Sequence, residues 1–153
     1  SWPLPKIFRI TKNGKADMDL YDGVTINTPS LMCTLDYVKA LEWVESIGGL
    51  EACIQKSMDN LNVLKQFVKK HDWIDFLTQV DEQISNTSVC MSLKLDDKQV
   101  KAFQKYLEQN QVAVDINAYK TAPSGIRIWC GATVEQKDLE FLCPWMERAY
   151  EHA

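Results

Sequence analysis

The apolar residues of this chain change their spacing near Ser30, and that change divides what can fold from what cannot fold alone. Before it, turns and extended segments alternate without an apolar stripe. Trp2-Pro3-Leu4-Pro5 is held extended by proline, which fixes its own φ and restrains the residue ahead of it. Lys6–Thr11 predicts a short strand, Lys12-Asn13-Gly14-Lys15 a turn, Asp22-Gly23 a second turn, and Val24–Pro29 another extended run. Residues 1–30 therefore predict an arm that packs on something else. From Ser30 onward Leu31, Leu35, Val38, Leu41 and Val44 recur every three or four residues, with Asp36, Lys39, Glu42 and Glu45 opposite them. That is an amphipathic helix. Gly48-Gly49 ends or kinks it, and a second stripe at Leu50, Ile54, Leu61, Leu64 and Val68 runs to about Lys70.

Beyond residue 70 the units shorten. Trp73–Val80 predicts a strand, and Thr87–Leu95 a stronger one, since Val89, Met91, Leu93 and Leu95 alternate. Asp96-Asp97 caps a helix through Val100, Phe103 and Leu107. Val112–Ala118 predicts a strand or strand-loop, Ile126–Cys130 a strand entered through Gly125, and Thr133 the start of a last helix with Pro144 kinking or breaking it. The order implies an α+β fold, a small sheet with helices packed on one face, preceded by an arm and two long helices. The expected division is 1–30 arm, 31–70 connecting helices and 71–153 a small α+β domain.

Composition narrows function by exclusion. The net charge is −4 and no basic face or aromatic strand motif stands out, which argues against nucleic acid as a partner. The five cysteines form no C-x-x-C and there are only two histidines, so no metal site is expected. No apolar run is long enough for a membrane span and the first residues do not form a secretory signal. Cysteines within apolar runs read as small core residues of a reducing compartment, so a cytoplasmic location is expected.

Few polar residues stand where chemistry could be done. Arg127 lies inside the apolar strand Ile126-Arg127-Ile128-Trp129. Arginine buried without a partner is costly, and its planar fork suits a carboxylate or phosphate. Spacing alone leaves open a solvent-facing arginine on an edge strand. Asn27-Thr28-Pro29-Ser30 places amide and hydroxyl donors just before a helix, where they could bind a phosphate or simply cap the helix. Arg9 and His71 read more simply as a solvated strand residue and a helix end.

Taken together, Pro5-Lys6-Ile7-Phe8-Arg9, Thr25–Ser30, Ser46-Ile47-Gly48-Gly49-Leu50, Ser85–Cys90 and above all Gly125–Glu135 resemble the phosphoserine aminotransferase family, in order, over nearly the whole chain. The resemblance implies the small C-terminal domain of a type I fold, pyridoxal-phosphate-dependent transferase. It implies transfer of an amino group between glutamate and 3-phosphohydroxypyruvate, giving phosphoserine and 2-oxoglutarate in serine biosynthesis. It implies a homodimer with both active sites at the subunit interface. By residue, it implies that Arg127 grips the substrate α-carboxylate and that Asn27 and Thr28 reach the cofactor phosphate of the other subunit. The family's Schiff-base lysine would lie in a large N-terminal domain upstream of these residues, so the chain alone is expected to be inactive and to hold no catalytic residue. Two alternatives stay open: an aminotransferase of the alanine/serine–glyoxylate type, and a non-catalytic α+β module for a ligand or protein.

Overall fold

The computed structural model describes residues 3–153; Ser1 and Trp2, where the extended opening was expected to begin, lie outside them. The chain forms two compact units, Ser1–Ser46 and Ile47–Ala153.

In the first unit the sequence expectation of a strand over Lys6–Thr11 is corrected. Pro5, with φ −53°, opens a 3-10 turn over Lys6–Phe8. Arg9 Nε then closes back on the Leu4 carbonyl at 2.6 Å, so the segment curls. Only Thr11–Lys12 (β1) is a strand, paired antiparallel with Lys15–Ala16 (β2). Asn13 and Gly14 between them have φ of +54° and +75°, the backbone of a two-residue hairpin turn that Asn-Gly adopts at little cost. A second 3-10 turn follows at Met18–Leu20. The long helix Leu31–Ser46 (α1) starts where the apolar spacing changes, with Ser30 Oγ accepting from the Cys33 amide at 3.4 Å. None of its residues is buried.

The second unit begins with Gly49–Lys70 (α2) behind Gly48, whose φ of +110° a side chain would strain. Then come Ile74–Phe76 (β3), Ser88–Leu93 (β4), Asp97–Gln109 (α3), Ile126–Trp129 (β5) and Gln136–Glu151 (α4). The sheet order is β3-β4-β5, antiparallel throughout, with Val89 opposite Ile128 and Cys90 opposite Arg127. Alternation sorts its faces as the strand period requires. Ile74, Phe76, Val89, Met91, Leu93, Ile126 and Ile128 are buried against apolar residues of α2, α3 and α4. Asp75, Ser88, Cys90, Ser92, Arg127 and Trp129 fall on the other face, none of them fully buried. Helix α3 opens on a reciprocal cap: Asp96 accepts from the Lys98 and Gln99 amides while the Gln99 side chain accepts from the Asp96 amide.

Three further expectations shift. Trp73–Val80 shrinks to the three residues of β3. Val112–Ala118 makes no strand beyond a single bridge of Asn117 to Ile126, because Gln111 and Asp115 adopt φ near +57° and +56° and break the extended course. Helix α4 starts at Gln136, not Thr133, since the Thr133 hydroxyl is taken by the Trp129 indole N–H at 3.0 Å. Pro144 sits inside α4 without breaking it. The carbonyl it leaves without an amide partner belongs to Glu140, an exposed residue that water can reach.

Candidate functional site

The open face of the sheet carries the one strongly basic side chain that the sequence places inside an apolar strand. Period-2 alternation puts Ile126 and Ile128 into the core and turns Arg127 the other way. Arg127 lines a cavity of about 260 Å³ at the β5 edge of the sheet, together with Ser88, Asp115 and Trp129 and with Ile128 and Leu142 from the core side. Arg127 Nη2 donates to Asp115 Oδ2 at 3.0 Å and lies 3.4 Å from the Asp115 carbonyl. The guanidinium carbon also rests 4.5 Å from the centre of the Tyr119 ring, a cation–π arrangement. Asp115 is a surface acid, its side chain 81% exposed, so Arg127 is not locked to an internal carboxylate. Tyr119 is tied to β4 through Ser88 Oγ at 3.4 Å. That contact first, and then the adjacent Arg127 charge, hold the Tyr119 phenol below its ordinary pKa.

Close packing around β5 fixes this side chain. Gly125 meets the neighbouring strand so tightly that a Cβ would come 2.2 Å from the Met91 carbonyl oxygen. Gly131 lets the Trp129 ring lie against the backbone, where a Cβ would be 2.4 Å from it. Asn60, fully buried in α2, donates its side-chain amide to the carbonyls of Cys130 (3.1 Å), Gly131 (3.4 Å) and Val134 (2.9 Å). The loop leaving β5 is thus pinned from below. Burial pushes the Cys130 thiol up to about 12, so it packs as a small apolar residue and supplies no thiolate.

Asn27 and Thr28 lie in the first unit, exposed, in a stretch without regular structure just ahead of α1. Their side chains make no hydrogen bond to other described residues, and so present free amide and hydroxyl donors. Just before them, Thr25 and Ile26 help line a cavity of about 450 Å³ with Lys6, Arg9 and Lys12. The structure brings Asn27 and Thr28 together on one segment, while Arg127 belongs to the other unit.

Asp115, Tyr119 and Asn60 were not singled out from the sequence. Asn60 was readable: it shares a helical face with Leu64 and Phe67, and a polar residue on an apolar stripe asks for partners. Asp115 and Tyr119 carry no such signal, because only the path of the 110–125 loop brings them to Arg127.

No protein-family model matches the chain. Among curated proteins, the phosphoserine aminotransferase of Methanosarcina barkeri (strain Fusaro) is 52% identical over 150 residues, covering 98% of this chain and 40% of that protein. The phosphoserine aminotransferase of Methanosarcina mazei is 50% identical over 151 residues, 99% of this chain and 41% of that one. Among solved structures, phosphoserine aminotransferase from Bacillus circulans subsp. alkalophilus superposes with a TM-score of 0.76 at 21% identity, over 87% of this chain and 36% of that one. Another, a phosphoserine aminotransferase studied for radiation damage of its Schiff base, gives 0.79 at 17% identity, over 94% and 41%.

The fold is therefore that of the C-terminal part of a type I aminotransferase, a small antiparallel sheet with helices on one face. The chain is a homologue of the phosphoserine aminotransferases over its whole length, and spans about 40% of the length of the curated relatives it matches. No described helix is long and apolar enough to cross a membrane.

Proposed function

We propose that this chain is the carboxylate-gripping part of a pyridoxal-phosphate-dependent phosphoserine aminotransferase. The assembled enzyme moves an amino group between glutamate and 3-phosphohydroxypyruvate, giving phosphoserine and 2-oxoglutarate. The observation that carries the reading is Arg127. It lies on a strand of a chain half identical to phosphoserine aminotransferases, and it helps line a cavity at the β5 edge of the sheet.

Arg127 binds the α-carboxylate by parallel N–H···O bonds, which fixes both the position and the plane of the amino acid. Orientation of this kind lowers a barrier without any proton moving through the residue that supplies it. Asn27 and Thr28 donate to the cofactor phosphate of the neighbouring subunit in a homodimer, a role that suits two exposed donors ahead of a long helix. Pyridoxal phosphate, when bound, supplies the electron sink for chemistry at the amino acid's α-carbon. The lysine that carries it, and the ligands of the substrate phosphate, come from a large domain outside these residues, and the site of action is the cytoplasm.

In the assembled enzyme, Arg127→Ala raises KM for glutamate and for phosphoserine alike, by about 10- to 100-fold each, the worth of a charged hydrogen-bonded pair. Both substrates share the α-carboxylate, so a loss confined to one of them overturns the assignment. Activity with serine or alanine in preference to phosphoserine would place the enzyme among the alanine/serine–glyoxylate aminotransferases instead.

A further inference from the structure

The contact between Arg127 and Asp115 involves the nitrogen that matters most. A guanidinium can grip a carboxylate with two bonds along either of two edges, Nη1 with Nη2 or Nε with Nη2. Nη2 is common to both. In this structure Nη2 faces two acceptors from one residue, Asp115 Oδ2 at 3.0 Å and the Asp115 carbonyl at 3.4 Å. Nothing else in the second unit offers Arg127 an acidic side chain within 4 Å. Asp115 is held in this position by its backbone, with φ +56°, a conformation that aspartate and asparagine tolerate better than most residues. Its carboxylate is nonetheless 81% exposed, so it can swing into water without breaking any packing.

We propose that Asp115 is the resident counter-ion of Arg127 and sets the affinity of the site for carboxylate ligands. This rests on the reading of Arg127 as a carboxylate clamp. Nη2 carries one hydrogen for each edge, so a bound carboxylate takes the edge that Asp115 Oδ2 occupies only after Asp115 leaves it. Between ligands, Asp115 keeps the guanidinium paired, while the Tyr119 ring lies 4.5 Å from the guanidinium carbon. Asp115 is thus a positioning and specificity residue: it favours ligands that form two bonds and repay its displacement, and disfavours singly bonded anions.

The test uses the whole chain, uniformly labelled with 15N. It has only three arginines, Arg9, Arg127 and Arg148, so three side-chain Nε–Hε signals suffice, and Arg127→Lys identifies the one of interest. Glutarate is titrated at pH 7 and constant ionic strength. The expected result is a saturable shift of the Arg127 signal, with glutarate Kd lowered about two- to fivefold in both Asp115→Asn and Asp115→Gly, the range set by the weakness of exposed ion pairs. Both substitutions remove the charge and both accept positive φ, so the loop is preserved. A loss of packing would not tighten binding, which separates this role from a structural one. If Arg127 responds but Kd is unchanged or raised in the two variants, the counter-ion role is overturned and the clamp stands. If Arg127 fails to respond in the parent chain and in both variants, clamp and counter-ion fall together.

Discussion

At the scale of single residues, the site is held by side chains that do no chemistry. Asn60 is the clearest. It is one of two buried polar residues among the described residues, and its amide nitrogen meets three carbonyls of the loop that follows β5. Asn60→Ala leaves the Cys130 and Val134 carbonyls without this donor, while Gly131 keeps the Val134 amide, and is expected to cost about 2 kcal/mol, read from urea unfolding. A loss under about 0.5 kcal/mol, the level of an ordinary surface change, would show that water replaces the amide and that the loop does not depend on it. Arg127 itself was legible from its place in an apolar run, because a charge there needs a reason. Its partners were not, since Asp115 and Tyr119 reach it through a loop whose course depends on two positive φ angles.

At the scale of elements, the helices were easier to read than the strands. Helix α1 begins and α3 is capped where the sequence puts them, because apolar spacing and an Asp cap act within one turn. The short strands lost residues at their ends, and the 112–118 segment made none, because a strand exists only where a neighbour supplies hydrogen bonds. Close approach decides the rest. Gly125 sits where β5 meets β4 backbone to backbone, and the Met91 carbonyl cannot rotate away without breaking the ladder. Gly125→Ala is therefore expected to lower stability by about 3 kcal/mol, with the Arg127 signal displaced in the same sample. Unchanged urea midpoint and spectrum would mean that the two strands part without consequence, against this packing.

At the scale of the whole molecule, the two units differ in what they bury. The second has a continuous core drawn from three helices and one face of a sheet. The first leaves α1 with Leu31 71%, Leu35 49%, Val38 42% and Leu41 45% exposed, a row of apolar side chains at helical spacing. Surfaces of that kind drive association. In solution the chain is expected to show a mass above 17.6 kDa by light scattering that rises with concentration, and Leu35→Glu with Leu41→Glu is expected to reduce it. A strict monomer up to about 100 µM would mean that this row is covered within one chain, since apolar surface is otherwise expected to associate. The sequence by itself determined where the helices run to within a few residues, the sorting of the sheet into an apolar and a polar face, and the presence of an arginine within an apolar strand, because periodicity acts on neighbours in the chain. Only the tertiary structure decided which acid and which aromatic ring meet that arginine, and that an asparagine 70 residues away in sequence holds the loop beside it, because such contacts depend on how loops close between elements and leave no trace in local spacing.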